Sequence, residues 1–138
     1  MTTLRLLVVE DNQDNLDLLR LWLSEKYLVF GYGCANEALS SLETTKPDLL
    51  LLDIGMGPID GVACLKAIRA IPAYGSTPAI ALTGYARESE REAFQAAGFQ
   101  VVLTKPIIDE QLFAAISAVL PPLGNQTSDQ SSMTTTAR

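Results

Sequence analysis

An uninterrupted apolar run that ends in a carboxylate, Leu49–Asp53, constrains the fold of this 138-residue chain more than any other feature. Four consecutive leucines followed by a loop with two glycines and a proline predict a strand buried on both faces, as in a parallel sheet covered by helices. Asp53 then lies where this central strand reaches the surface. Ligands of open parallel α/β sheets bind beyond the carboxyl ends of the strands, so Asp53 is the first candidate for function.

Three more predicted strands, at residues 4–9, 78–82 and 100–104, also end in polar groups. If the strands lie parallel in one sheet, those groups and Asp53 share one edge. The set contains three acids, a hydroxyl and an ammonium: Glu10, Asp11, Asp53, Thr83 and Lys105. The recurrence of such endings predicts a functional site. Any one of the other four residues alone is typical of a helix cap or an ordinary strand residue, whereas packing does not explain an isolated acid after four leucines at Asp53.

Composition excludes several classes of protein. No apolar stretch approaches the roughly 20 residues that a membrane span needs, and the N-terminus lacks a signal-peptide pattern, so we expect a cytoplasmic protein without a membrane partner. A net charge of −6 argues against direct binding to nucleic acid. The chain has no histidine and therefore supplies no imidazole base or phosphodonor. Cys34 and Cys64 lack metal-ligand spacing and are predicted to be reduced, partly buried thiols.

Helical patterns alternate with the strands. Apolar spacing predicts helices over residues 12–26, 36–44, 62–71, 87–97 and 109–120, and a weaker edge strand over 27–32. The residues from Asn12 to Asp14 offer caps for the first helix, Asp60 and Asp109 are expected to cap later ones, and Gly98 is a left-handed terminator. Residues 121–138 are rich in Ser, Thr and Gln and are predicted to be a disordered tail or linker.

This alternation predicts an α/β fold. Right-handed crossovers pack five strands and five helices into a three-layer sandwich with a five-stranded parallel sheet. The flavodoxin-like strand order 2-1-3-4-5 places the first strand beside the third. Asp11 is therefore expected next to Asp53.

The three acids expected at one edge of the sheet, Glu10, Asp11 and Asp53, indicate that a cation binds between them. Two carboxylates about 4 Å apart repel by about 4 kcal/mol at an effective dielectric constant of about 20. Oxygen ligands and waters suit Mg²⁺, which also neutralises a phosphoryl group, and a carboxylate held in line can attack phosphorus to form an acyl phosphate. Lys105 offers a fixed positive charge for phosphoryl oxygens and Thr83 a hydroxyl donor. The predicted chemistry is formation of a phosphoaspartate.

Five motifs in this order resemble the receiver domain of two-component response regulators. They are Val8 to Asn12, Leu50 to Asp53, Asp60 with Gly61, Ala81 to Thr83, and Lys105 with Pro106. The resemblance covers residues 4–120, so the chain is interpreted as a receiver domain at 1–120 followed by the tail.

The resemblance implies that Asp53 accepts a phosphoryl group from a histidine of a sensor kinase or a histidine phosphotransfer protein. Glu10 and Asp11 would hold Mg²⁺ together with Asp53 and the backbone carbonyl of Gly55. Thr83 and Lys105 would contact the phosphoryl group, and the bond from Lys105 to the following proline would be cis.

The implied function is a phosphorylation-dependent signalling switch rather than an enzyme, with only slow self-catalysed phosphorylation and dephosphorylation. Its partner-binding surface would change at residues 87–97 and the last helix, toward a downstream protein that the sequence does not name. A monomer or weak dimer is expected.

Three features depart from the family pattern. Gly57 precedes Pro58, where the family often has the reverse order. Val102 stands where many receivers have an aromatic residue that swings inward on phosphorylation, so the usual switch is expected to be incomplete. Gly55 and Tyr85 flank the phosphoryl site with opposite expected effects on water access.

Three alternatives to a stand-alone switch exist. The chain could be the receiver module of a larger hybrid histidine kinase. A Mg²⁺-dependent aspartyl phosphohydrolase would need a second acid two residues after the nucleophile, where Gly55 stands. In a flavodoxin-like FMN carrier the acids at 10, 11, 14 and 17 would repel the phosphate.

Overall fold

The computed structural model of the chain describes residues 3–55, 61–84 and 88–120. In this part, five strands form one parallel sheet in the order 2-1-3-4-5. The strands are β1 (Arg5–Val9), β2 (Leu28–Tyr32), β3 (Leu49–Asp53), β4 (Ala79–Thr83) and β5 (Val101–Thr104). The helices are α1 (Gln13–Leu23), α2 (Ala35–Ser40), α3 (Leu42–Thr45), α4 (Gly61–Arg69), α5 (Glu88–Ala97) and α6 (Asp109–Val119), with a 3-10 turn at Pro72–Tyr74. The predicted flavodoxin-like fold class is confirmed.

The four leucines of β3 are completely buried because helices cover both faces of the sheet. Successive strand residues point to opposite faces, so Leu50 and Leu52 belong to one core and Leu49 and Leu51 to the other. The first core packs against α2, α3 and α4, and the second against α1 and α6. The apolar run is therefore a central strand between two helical layers.

The register of the sheet places the strand ends side by side. Val9 at the end of β1 pairs with Leu52, and Asp53 pairs with Leu82 of β4. The chain segments that follow β1, β3 and β4 consequently start at the same edge of the sheet.

The predicted helix over 36–44 is wrong in one respect, because it is two helices with a break at Ser41. The Ser41 hydroxyl donates to the carbonyl of Ala38 at 2.7 Å, and its backbone N–H donates to the same oxygen at 3.1 Å. A serine side chain that bonds to the backbone in this way competes with the regular helical pattern. The described residues therefore contain six helices rather than five.

Helix ends also differ from their predicted positions. Asn12 caps α1 as expected, with its side chain accepting from the N–H of Asn15 at 2.9 Å, but the helix ends at Leu23 instead of 26. Asp109 is not the cap of α6; Ile108 holds that place, and Asp109 lies in the first turn. An acid is favourable at either position because both lie beside the positive end of the helix dipole.

Several predictions fall on residues outside the described ranges: the Asp60 cap, the loop with Gly57 and Pro58, Tyr85, and the tail at 121–138. Both cysteines are free, as expected. Cys64 is buried in the first core, but Cys34 is exposed at the start of α2, so the prediction of partial burial is wrong for Cys34.

Gly98 ends α5 with a φ of 119°, a conformation that residues with a side chain rarely adopt. A Cβ at this position would lie 3.2 Å from Nε of Arg69 and 3.3 Å from a methyl group of Leu65. The Arg69 guanidinium donates to the Gly98 carbonyl at 3.1 Å, so it has little freedom to move away. Glycine is required here by the backbone and by the neighbouring side chains.

Replacing Gly98 with alanine is expected to lower the free energy of unfolding by about 1–2 kcal/mol because the positive φ is strained for any other residue. Gly33→Ala is the matched control, since a Cβ there meets no atom within 4 Å. Urea unfolding followed by circular dichroism measures both variants. Equal losses of stability in the two would contradict the requirement for glycine at 98.

Candidate functional site

Three acidic side chains meet at the carboxyl edge of the sheet. Glu10 follows β1 directly, and its N–H donates to the Tyr32 carbonyl at 3.0 Å, so the strand pairing with β2 continues up to the site. Asp53 is the last residue of β3. Carboxylate oxygens of Glu10, Asp11 and Asp53 all lie within 4.8 Å of one another. Glu10 is 1% and Asp53 4% exposed, whereas Asp11 is open to solvent.

The Lys105 ammonium lies between the two buried acids. Its Nζ is 2.8 Å from Oε1 of Glu10 and 3.2 Å from Oδ2 of Asp53. The backbone N–H of Lys105 donates to the Thr83 carbonyl at 2.7 Å, so β4 holds the lysine at the site, and the bond from Lys105 to Pro106 is cis. Thr83 is buried at the end of β4. The structure thus brings four of the predicted residues into direct proximity and places Thr83 on the adjoining strand end.

Backbone donors orient the two buried carboxylates. The N–H of Gly55 donates to Oδ1 of Asp53 at 3.0 Å, and the N–H of Asn12 donates to Oε2 of Glu10 at 3.2 Å. Both bonds join a carboxylate to the N–H two residues later, and for Asp53 this is a turn that aspartate side chains favour. The contact from Asn12 to Glu10 was missed at the sequence level.

Burial and crowding change the protonation of the site. Burial raises the pKa of Glu10 to about 7; the hydrogen bond from Lys105 opposes the shift, and the neighbouring Asp53 adds to it. Burial alone would lower the pKa of Lys105, but its hydrogen bond to Glu10 and the charges of Asp53 and Glu10 outweigh that effect, and its pKa is raised. The lysine is therefore a permanent cation, whereas Glu10 is close to its titration point at neutral pH.

The donor set fits a magnesium ion. Three carboxylates converge, one of them exposed, and all of their ligand atoms are oxygens. Mg²⁺ prefers oxygen ligands, keeps several waters and is bound in proteins through one or two carboxylates together with phosphate oxygens. The exposed Asp11 leaves a route for a hydrated ion to reach the two buried acids.

A small apolar cleft of about 90 Å³ adjoins Glu10 and Lys105. Leu18 and Trp22 of α1 and Pro106 and Ile107 after β5 form its apolar wall, and Glu10 and Lys105 also line it. Leu18 is 40% exposed although it belongs to this apolar wall. The sequence reasoning did not identify this cleft, because only the folded chain brings α1 and the segment after β5 together.

The model of the response regulator receiver domain matches residues 6–117. This chain belongs to that family. Receiver domains are phosphorylation-dependent signalling switches, and the predicted family and function are confirmed at this level. The match includes the ends of all five strands and therefore the complete acidic edge.

Individual relatives agree with this assignment. An uncharacterized 14.6 kDa protein of Leptolyngbya boryana is 43% identical over 103 residues, which are 74% of this chain and 79% of that protein. The chemotaxis protein CheY4 of Vibrio cholerae has 25% identity and a TM-score of 0.82, with 86% of this chain and all of that structure covered. The receiver domain of sensor histidine kinase PA1611 from Pseudomonas aeruginosa has 29% identity and a TM-score of 0.75, with 85% of this chain and 97% of that structure covered.

Several other curated relatives are much longer than this chain, which spans between 12% and 56% of their length. Among the described residues, no helix has the length and apolar character needed to span a membrane.

Because the pKa of Glu10 is raised in the folded state, the free energy of unfolding is expected to depend on pH. The folded state binds this proton more tightly than the unfolded chain, so the stabilisation is fully present below about pH 4.5 and is lost as the pH rises through about 7. We expect the free energy of unfolding in EDTA to fall by on the order of 2 kcal/mol between about pH 5 and 8. The chain has no histidine, so few other groups titrate in this range.

Urea titrations at several pH values measure this fall, and Glu10→Gln is the variant that removes the titrating group. Its stability is expected to vary less with pH than that of the wild type. An identical pH profile for both proteins would contradict the assignment.

Crowding of the acids has a second measurable effect. Asp53→Asn removes one of the charges that repel one another while leaving Lys105 paired with Glu10. In metal-free buffer we expect a higher melting temperature than in the wild type, corresponding to about 1 kcal/mol or more of added stability. Differential scanning calorimetry measures it, with Asp17→Asn on the exposed face of α1 as the control. An unchanged or lower melting temperature for Asp53→Asn would count against a shared cation site.

Proposed function

We propose that Asp53 is the phosphoryl acceptor and that the other residues at this edge hold and neutralise the incoming group. The main observation is the position of Asp53: it is 4% exposed at the end of the central strand, one of its oxygens is 3.2 Å from the Lys105 ammonium, and two further carboxylates lie beside it. Packing does not explain an acid there, because burying a carboxylate at the end of an apolar strand costs free energy.

The proposed donor is a phosphohistidine on a partner protein. A carboxylate oxygen of Asp53 attacks the phosphorus, a new P–O bond forms and the P–N bond breaks. The imidazole nitrogen keeps the electron pair of that bond, and the ring leaves neutral because its other nitrogen carries a proton. The product is an acyl phosphate on Asp53. This chain has no histidine, so the donor must be another protein or another part of a longer one.

Magnesium is the cofactor that this donor set supports. Glu10, Asp11, Asp53 and the backbone carbonyl of Gly55 would hold it. When bound, Mg²⁺ supplies positive charge for the phosphoryl oxygens and relieves the repulsion among the acids. The P. aeruginosa receiver structure is described as having a magnesium ion coordinated in its active site cleft.

Lys105 and Thr83 have separate proposed roles toward the phosphoryl group. The Lys105 ammonium contacts the Asp53 carboxylate in the unphosphorylated protein. After phosphorylation it would bind a phosphoryl oxygen instead. The Thr83 hydroxyl belongs to the neighbouring strand end and would donate to another phosphoryl oxygen. Charge-assisted hydrogen bonds of this kind stabilise anions more strongly than neutral ones.

The phosphoaspartate is proposed to be lost slowly by self-catalysis. Water attacks the phosphorus, the acyl P–O bond breaks and the Asp53 carboxylate leaves, which yields inorganic phosphate. Gly55 stands where an aspartyl phosphohydrolase would place a second acid, so the residues present do not favour rapid turnover. The protein therefore acts as a switch with a limited lifetime rather than as an enzyme.

The proposed phosphodonor is a sensor histidine kinase or a histidine phosphotransfer protein. The apolar cleft formed by Leu18, Trp22, Pro106 and Ile107 gives such a partner a surface beside Lys105, whose ammonium contacts the acceptor. The partner that receives the signal is a protein of unknown identity, and we propose that the receiver acts in the cytoplasm as a monomer or weak dimer. A role as one module of a hybrid kinase is a second candidate, because a structural relative is the receiver domain of a sensor kinase.

Incubation with a small acyl phosphate and Mg²⁺ is expected to add one phosphate to the wild type, which intact-mass spectrometry detects. Asp53→Asn is expected to remain unmodified, and Asp17→Asn to react like the wild type because it removes an exposed aspartate outside the acidic cluster. EDTA is expected to prevent the reaction of the wild type and of Asp17→Asn. Modification of Asp53→Asn to the wild-type level would contradict the proposed acceptor.

The proposed ligand set also predicts how Mg²⁺ affinity depends on Asp11. Asp11→Asn is expected to raise the Mg²⁺ dissociation constant by about tenfold or more because it removes a charged ligand. The fluorescence of Trp22, the only tryptophan of the chain, reports binding because its side chain lines the cleft next to Lys105. Asp17→Asn is the control for a general loss of negative charge. Equal affinities for the two variants would exclude Asp11 as a ligand.

A further inference from the structure

Helix α5 is attached to the rest of the domain more weakly than the other long helices. None of the residues in Glu88–Ala97 is buried, whereas α1, α4 and α6 each bury at least three. Phe94 of α5 is partly buried against the first core. With so little apolar packing, the polar contacts of α5 determine its position to an unusual degree.

Arg91 joins α5 to the sheet by two hydrogen bonds. Its Nη2 donates to the hydroxyl of Thr104 at 2.8 Å, and its Nη1 donates to the carbonyl of Val102 at 3.2 Å. β5 is an edge strand, so its outward backbone groups have no further strand to bond with. The rigid guanidinium fork satisfies one of these groups and the hydroxyl together.

The acceptor of the stronger bond lies next to the functional site. Thr104 immediately precedes Lys105 and pairs in register with Thr83. The Lys105 backbone donates to Thr83, and the Lys105 ammonium contacts Asp53. A continuous series of short contacts therefore joins Asp53 to Arg91 through two adjacent residues, Thr104 at the end of β5 and Lys105 directly after it.

The side chain of Val102 does not provide a second polar connection between Asp53 and α5. Its side chain is 7% exposed and belongs to the first core, and it has no polar group that could exchange hydrogen bonds. An aromatic residue that swings inward at this position, as in many receivers, is absent from this chain.

We propose that Arg91 is the positioning residue that links phosphorylation of Asp53 to the placement of α5, through its bond to Thr104. This inference rests on the proposed function, since it requires a phosphoryl group at Asp53. When Lys105 and Thr83 turn toward the phosphoryl oxygens, the end of β5 shifts, the geometry of the Thr104 hydroxyl changes, and the weakly packed helix follows. The link takes the place of the missing aromatic switch.

Hydrogen exchange measured by mass spectrometry tests this link, with beryllofluoride and Mg²⁺ as the phosphoryl mimic. In the wild type, beryllofluoride is expected to change the exchange of peptides containing Asp53 and of peptides from α5. Thr104→Val removes the hydroxyl with little change of shape. It is expected to keep the response at Asp53, to lose most of the response in α5, and to exchange about tenfold faster in free α5, as the loss of a bond to a charged donor implies.

Two further variants separate this link from a general loss of structure. Thr104→Ser keeps the hydroxyl and is expected to restore the α5 response, and Arg91→Lys is expected to lose it because one ammonium does not reproduce both bonds. Gln95→Ala, at an exposed position of α5, is the matched control and is expected to behave like the wild type.

A full α5 response in Thr104→Val and Arg91→Lys would overturn the role of Arg91 and leave the proposed function intact. No response at Asp53 in the wild type would instead contradict the proposed function and this inference together.

Discussion

The ammonium of Lys105 between two buried carboxylates is the interaction on which the rest of the site depends. Glu10 and Asp53 are almost completely buried and close together, an arrangement that would destabilise the fold without a cation. Lys105 lies 2.8 and 3.2 Å from them because the backbone after β5 is anchored to Thr83. The parallel sheet brings the ends of β1, β3, β4 and β5 to one edge. The fold therefore places the acids together and also supplies the Lys105 ammonium as their counterion.

The fold class could be predicted from the spacing of apolar residues and from the polar residues that end each strand. The unbroken leucines of β3 indicated burial on both faces, and the polar residue at each strand end indicated one shared edge; both features depend on local sequence and on the general geometry of parallel sheets. The residues brought together at that edge are those named from the sequence. Their roles toward magnesium and phosphate remain proposals.

What the sequence did not reveal depends on side-chain hydrogen bonds to the backbone and on contacts between distant segments. The break at Ser41 arises from a side chain that bonds to its own helix, which apolar spacing does not show. The cleft beside Lys105 and the link from Arg91 to Thr104 each join elements whose relative position is set by the sheet. The raised pKa of Glu10 likewise follows from burial, which depends on the packed structure and not on the residue itself.

If the strand ends form one site in which Asp53 receives a phosphoryl group, a crystal structure of the protein with Mg²⁺ and beryllofluoride will show it. Beryllium is expected to be bonded to a carboxylate oxygen of Asp53, with the Lys105 ammonium and the Thr83 hydroxyl each in hydrogen-bonding contact with a fluorine. Beryllofluoride at another residue, or an Asp53 still paired with Lys105 and free of the ligand at saturating concentration, would contradict it.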